Sequence, residues 1–171
     1  KEDKFTLVTN KYAKPQTGAI ITAKTKQGLI KLIAENQEEI IKALFKSEIK
    51  ERQRRTSISP LVIDSLKERF GLNIKMPSAY RIAHKGSDFY WIRKDLKKTG
   101  STNILIYEVP LNSISSDSTA LGEILTIRDS IGGYYLPVED NGRFGTDYSY
   151  SPNFYITELA GNLTYKTKGV W

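Results

Sequence analysis

The stretch "KQGLIKLIAENQEEIIKALFKSEIKERQRR", residues 26–55, sets the period of the sequence and with it the class of fold. Its apolar residues recur at a spacing of three and four, and charged residues occupy most of the remaining positions. This pattern predicts a long amphipathic helix from Lys26 to about Arg55. Its apolar face comprises Leu29, Ile33, Ile40, Ala43 and Leu44, widened by Ile30, Ile41 and Phe45.

The segments around this helix predict strands and two further helices. Residues 5–10 and 18–25 have the β-branched, period-two pattern of strands. Ser59-Pro60 predicts the N-cap and first position of a second helix, which Gly71 ends. Further strands are expected at 72–76, 89–94 and 103–110, a third helix from about Thr119 to Ile131 with Gly132-Gly133 as its C-cap, and a last hairpin over 153–171 that turns at "AGN".

This order of elements predicts the fold class. Strands grouped after paired helices indicate an α+β fold rather than alternating α/β units. We expect a mostly antiparallel sheet with three helices packed largely on one face. A chain of 171 residues fits a single domain over 1–171.

Composition excludes several classes of chemistry. The chain has no cysteine, which removes thiol catalysis, thiolate metal sites and disulfides together. No run approaches the roughly 18 apolar residues of a membrane-spanning helix. The net charge of +7 is compatible with nucleic acid, anionic lipid or an acidic partner.

Arg128 and Asp129 are the first candidates for a binding site. Helical spacing from Leu121 places Arg128 in the middle of the apolar stripe of the third helix and Asp129 at its edge. A guanidinium that faces a core needs a carboxylate, carbonyl oxygens or a bound anion. The structural interpretation is an ion pair with an acid such as Glu108 or Glu158, or a side chain that reaches solvent at the helix end. It is favoured over an anion-binding arginine.

Two further segments carry weaker signals. In "EIKERQRR", residues 48–55, Glu48 precedes Arg52 by four and Glu51 precedes Arg55 by four, so internal pairing is favoured over phosphate contacts. In "FYWIRKD", residues 89–95, Phe89, Trp91 and Arg93 lie on one strand face and Tyr90, Ile92 and Lys94 on the other. Packing of one face on a helix, with an amphipathic fringe on the other, is favoured over stacking of a base or sugar.

The remaining candidates are aromatic or ionisable. Tyr134 and Tyr135, in "GGYYLP", are expected to be exposed aromatic contacts. His84 has no nucleophile or ligand cluster near it in the sequence, so we expect no catalytic residue, metal or cofactor. The acidic segment 139–147 lacks the spacing of an EF-hand loop and is interpreted as a turn.

Taken in order, several motifs resemble one known family. They are "YAKPQ" and "IITAKT", the long helix, "FGLNIKMPSAYRIA", "DFYWIRKD", "ILIYEVP", "IRDSI" and "YKTKGVW". Together they resemble, over nearly the whole chain, the lipoprotein family of Bacteroidetes catalogued as domain of unknown function 4837. Positions that match its recurrent motifs are Gln16, Trp91, Arg93, Arg128, Asp129 and Trp171.

The resemblance implies an extracytoplasmic protein in the periplasm or outer membrane, held by a lipid anchor that lies outside this chain. It assigns no activity and no catalytic residue. Family members begin with a further segment and run on past the position of Trp171, which implies a fragment of a longer lipoprotein or a divergent member.

Three functions remain open at this point. The favoured one is a non-catalytic cell-envelope domain that binds an envelope protein or a small anionic ligand, with Arg128, Asp129, Trp91, Arg93, Tyr134 and Tyr135 as candidate contacts. The alternatives are nucleic-acid binding through the basic surface, which is disfavoured, and a hydrolase built on carboxylates and Arg128.

Overall fold

A computed structural model describes residues 2–98, 100–138 and 141–171. The chain divides into two compact units, Lys1–Glu108 and Val109–Trp171, and each is described by itself. The structure confirms an α+β protein with antiparallel strand pairing and, within the described residues, three helices. The strands are distributed over small separate sheets in both units.

The first unit opens with a β-hairpin. Strands β1 (Lys4–Thr9) and β2 (Thr17–Thr22) pair antiparallel, as predicted, with Phe5 opposite Ile21. Gln16 organises the connection between them, because its side-chain oxygen accepts from the backbone N–H groups of Tyr12 and Ala13 at 3.0 and 3.3 Å.

Helix α1 (Lys26–Ile58) follows and confirms the long helix predicted from the period of the sequence. The Thr25 hydroxyl caps its start by accepting from the Gly28 N–H at 3.0 Å. No residue of α1 is buried. Its half-buried positions are Gly28, Leu32, Asn36, Ile40, Ala43, Ser47, Glu51 and Thr56, and the Thr17 hydroxyl of β2 donates to Ser47 from this side.

The predicted start of the second helix is wrong. Ser59 ends α1, and Pro60–Leu61 forms a short strand, β3, that pairs with β4 (Met76–Pro77). Helix α2 begins later and spans Asp64–Phe70. Its predicted end is confirmed, since Gly71 adopts a φ of 66° and donates back to the helix.

A three-stranded antiparallel sheet completes the first unit. It consists of β5 (Arg81–Lys85), β6 (Phe89–Leu96) and β7 (Gly100–Tyr107) in that order. The sequence did not predict β5. Of the strand predicted at 72–76, only Met76 is in a strand.

The core of this unit lies between α2 and the inner face of the sheet. Its buried residues are Ile63, Leu66, Met76, Tyr90 and Ile92, with Leu61, Phe70, Tyr80, Ile104 and Ile106 packed around them. Phe70 meets Tyr90 edge-on, with ring centroids 5.5 Å apart. This arrangement confirms core packing for one face of the "FYWIRKD" strand.

The second unit consists of one helix and one hairpin. Helix α3 spans Ala120–Tyr135, and β8 (Asn153–Leu159) pairs with β9 (Asn162–Lys168). The hairpin turns at Ala160 and Gly161, which both have positive φ, at 51° and 82°. The turn is thus where the "AGN" motif predicts it.

Candidate functional site

Arg128 and Asp129 lie near the middle of α3 and are shielded from solvent. Their side chains are 14% and 18% exposed. Thr146 fixes Asp129, donating from its N–H at 3.0 Å and from its hydroxyl at 2.8 Å. Arg128 donates to the hydroxyl oxygen of Thr146 and, at 3.4 Å, to Asp129. The guanidinium is therefore satisfied by its own chain.

The apolar side of this cluster is aromatic. The guanidinium carbon of Arg128 lies 4.5 Å from the centre of the Trp171 ring, a cation–π geometry. Phe144 packs edge-on against Trp171 at 4.8 Å between centroids. Glu108 is not the partner that the sequence predicted, because it pairs with Arg69 at 2.8 Å. An ion-paired, structural arginine remains the better interpretation of the motif.

Burial and hydrogen bonding act in opposite directions on Asp129. Burial raises the pKa of the carboxyl group, but the hydrogen bonds from Thr146 and the charge of Arg128 more than offset it. The pKa of Asp129 therefore lies below its ordinary value of 3.8. A carboxylate held in the ionised form is poorly suited to donate a proton near neutral pH.

The two glycines after this motif do not cap α3, which corrects the prediction. The helix continues to Tyr135 and ends at Leu136. A methyl group on Gly132 would lie 3.6 Å from Trp171 and Phe144, whereas one on Gly133 would lie 2.7 Å from Arg143 Nε. Gly133 instead lets Arg143 and the backbone of Phe144 approach the helix, whereas a methyl group on Gly132 would meet Phe144 and Trp171 at ordinary contact distances.

This geometry predicts opposite behaviour of neighbouring glycines. Gly132→Ala is expected to raise the free energy of unfolding by about 0.5–1 kcal/mol, because alanine is the better helix former and its methyl group meets only ordinary contacts. Gly122→Ala, with nothing within 4 Å, is the matched control with the same gain. Gly133→Ala must displace Arg143, so we expect a smaller increase in the free energy of unfolding, or a decrease. Urea titration followed by circular dichroism measures all three; an equal gain for Gly133→Ala contradicts the packing described.

Tyr134 and Tyr135 lie in the last turn of α3. Their rings meet edge-on at 4.8 Å between centroids, and Tyr134 is 81% exposed. Exposure of Tyr134 agrees with the expectation from sequence, but Tyr135 is half-buried, which corrects the expectation for that residue. A binding role for either tyrosine stays a prediction.

Trp91 and Arg93 lie on the outer face of the three-stranded sheet, in the other unit from Arg128. The indole N–H of Trp91 donates to Asn103 at 2.9 Å, and Arg93 donates to Asp95 at 2.6 Å. Arg81 also binds Asp95, at 3.1 Å. Hydrogen bonds from Arg93 and then Arg81 hold the pKa of Asp95 below its ordinary value. The face is half-exposed and polar, and its arginines share one carboxylate.

The basic end of α1 is paired internally, as its spacing predicts. Arg52 binds Glu48 at 2.5 Å, and Glu51 accepts from Arg54 at 2.7 Å and from Arg55 at 3.0 Å. The hydrogen bonds and charges of Arg54 and Arg55, the Arg54 hydrogen bond first, lower the pKa of Glu51 to about 2. Such pairing reduces the positive potential available for nucleic acid.

A groove at this end of α1 was not predicted. It has a volume of about 530 Å³ and is lined by Ile49, Arg52, Gln53, Thr56, Ser57, Asn73 and Lys75. Two lining side chains are cationic, and the lining contains no carboxylate. The polar residues of α1 after Ile49 were the one sign of this groove in the sequence. The sequence around them does not indicate that residues 73–75 form its other side.

The described residues hold no cluster of metal-binding side chains. Among residues 2–98, 100–138 and 141–171, no group of three or more histidine and acidic side chains is placed to hold a metal ion. Glu139 and Asp140 of the acidic segment lie outside these residues. Within the same ranges, no helix has both the length and the apolar character needed to cross a membrane.

Comparisons with known proteins cover the chain with two family models. Residues 1–57, which hold the first hairpin and nearly all of α1, match a domain of unknown function, DUF8532. Residues 59–171 match a domain of unknown function, DUF4837, so this match begins at the end of α1 and is shorter than the resemblance suggested. No curated protein and no solved structure shows significant similarity to the chain. Through its larger part, the chain belongs to the family of the domain of unknown function DUF4837.

Proposed function

We propose that this chain is a non-catalytic binding module of the cell envelope whose ligand is a small anion held in the groove at the end of α1. The observation that carries the proposal is the lining of that groove. Arg52 and Lys75 supply positive charge, and the side chains of Gln53, Thr56, Ser57 and Asn73 supply hydrogen-bond donors. An anion is the chemical complement of such a surface.

The size of the groove fits a small ligand. Its volume of about 530 Å³ falls within the roughly 300–1,000 Å³ of small-molecule sites. Ile49 adds one apolar wall, against which a carbon skeleton can pack. Arg52 already contacts Glu48 on the helix surface, so an anion in the groove competes with an exposed carboxylate.

The non-catalytic part of the proposal is supported by the state of the candidate groups. Asp129 accepts two hydrogen bonds from Thr146 and two from Arg128, and Asp95 is shared by two arginines. A general acid or nucleophile needs a group that is accessible and not already committed in this way.

Binding is tested with the probes inorganic phosphate and citrate, titrated calorimetrically at constant ionic strength. The double variant Arg52→Gln/Lys75→Gln is expected to weaken binding at least about tenfold, which corresponds to about 1.4 kcal/mol. The double variant Lys97→Gln/Lys98→Gln removes the same charge elsewhere and should bind like the wild type. The proposal fails if neither anion binds at millimolar concentration or if both variants lose affinity equally.

The cellular location has a separate test. The family resemblance supports an extracytoplasmic lipoprotein of Bacteroidetes whose lipid anchor lies outside this chain. The full precursor, expressed in its own host and fractionated, should appear in the membrane fraction and incorporate a labelled fatty acid. Recovery in the cytosol without label would remove the envelope from the proposal and leave the groove to be judged by titration.

A further inference from the structure

Helix α1 presents a long apolar face that its own unit leaves uncovered. The half-buried positions, such as Leu32, Ala43 and Ser47, follow one line along the helix. A second line of large apolar side chains is exposed by 38–62%. These side chains, called the open face below, are Leu29, Ile30, Ile33, Ile41, Leu44, Phe45 and Ile49.

The open face is large enough to bury against a partner. Its seven side chains expose on the order of 600 Å² of apolar surface, and the largest patch on a typical monomer is about 300–600 Å² and often functional. A stable interface takes about 800 Å² from each partner. The open face and its charged border together approach that size. We infer that the open face of α1 joins two copies of this chain as an antiparallel helix pair.

Side-chain sizes along the helix fit a second copy that runs in the opposite direction. The open face extends from residue 29 to residue 49, so a two-fold axis near residue 39 superposes it on itself. Such an axis sets Ala34 opposite Phe45 and Ile33 opposite Leu44 of the second copy. A small residue then faces the largest one, so the facing side chains can interdigitate.

Charge favours the same direction. Helical spacing places Glu35, Glu38 and Lys42 along one border of the open face. In an antiparallel pair the same borders of both helices meet, so Glu35 of one copy lies beside Lys42 of the other. In a parallel pair this charged border would lie against the opposite edge of the open face, next to the half-buried positions. The acidic side chains would then not meet Lys42 of the second copy.

The oligomeric state tests the inference. Sedimentation velocity over a concentration series should show a monomer–dimer equilibrium for the wild type. Ile41→Glu and Phe45→Glu should each weaken dimerisation at least about tenfold, because a carboxylate would be buried in the interface. Leu163→Glu changes a side chain that is 77% exposed in the hairpin β8–β9 and is the matched control. A monomer at every concentration, or equal effects of all three changes, would overturn the inference.

The direction has its own test, since the chain contains no cysteine. Under oxidation, a mixture of Ile33→Cys and Leu44→Cys proteins should give the mixed disulfide dimer. Each variant alone should not cross-link, because equal positions lie more than about 15 Å apart along the antiparallel pair and a disulfide needs about 4.4–6.8 Å between Cα atoms. Efficient cross-linking of Ile33→Cys with itself would show a parallel pair. Ile49 belongs both to the open face and to the groove lining, but the substituted positions 33, 41, 44 and 45 lie outside that lining, so the two proposals can fail separately.

Discussion

Leu66→Ala is expected to lower the free energy of unfolding of the first unit by about 3 kcal/mol, within the range of about 2–5 kcal/mol for such changes in a core. Leu66 is 1% exposed and lies in the cluster with Ile63, Met76, Tyr90 and Ile92. Truncation removes buried methyl groups and leaves a cavity that the aromatic neighbours cannot fill without moving. Few other single substitutions in this unit should lower its free energy of unfolding as much.

The measurement must report the first unit alone. The chain has two tryptophans, Trp91 in the first unit and Trp171 in the second. In a Trp171→Phe background, the fluorescence of Trp91 during urea unfolding follows the first unit. Leu72→Ala is the matched control, since Leu72 is 40% exposed and its truncation should cost less than about 1 kcal/mol. Equal losses at the two positions would show that Leu66 is not part of the core.

Features encoded within one or two helical turns were predicted well. The period of the apolar residues determines α1, and a glycine that can adopt positive φ ends α2 at Gly71. The alternation in "FYWIRKD" predicts a strand with an inner face, and Tyr90 and Ile92 are buried there. In each case the residues that decide the structure are neighbours in the sequence.

Features that depend on distant segments were missed. Pro60–Leu61 becomes a strand because Met76–Pro77 pairs with it, which outweighs the local helix-start signal of Ser59-Pro60. Gly132 and Gly133 resemble a helix end, but α3 continues through both, and Gly133 lies where Arg143 approaches too closely for a side chain. Nothing in the local pattern identifies these neighbours.

The candidate site, too, depends on segments that are distant in the sequence. The position of Arg128 on an inward-facing part of α3 follows from helical spacing, but its partners Thr146 and Trp171 come from later in the chain. The anion groove joins Arg52 to Lys75 across two elements. The open face of α1 was predicted as apolar, but only the structure shows that its own unit leaves most of it uncovered.

Asp129→Asn is expected to destabilise the second unit by about 2 kcal/mol at neutral pH, because it takes the carboxylate from a largely buried guanidinium and from the N–H and hydroxyl of Thr146. The loss depends on pH. Because the pKa of Asp129 is lower in the folded chain than its ordinary 3.8, its contribution is present above about pH 4 and is lost as the pH falls through the folded value. The difference between wild type and variant should therefore shrink in acid.

The fluorescence of Trp171 in a Trp91→Phe background reports this transition, since the Trp171 ring lies against Arg128. Glu158→Gln is the control: it removes one negative charge from the exposed surface of the same unit, at the other acid that the sequence offered as a partner for Arg128. It should change stability by less than about 0.5 kcal/mol. A catalytic Asp129 predicts the reverse outcome, in which Asp129→Asn abolishes a hydrolase activity and leaves stability unchanged. A variant that is less stable at pH 7, and closer to the wild type below pH 4, instead identifies Arg128 and Asp129 as the ion pair that holds the end of the chain against α3.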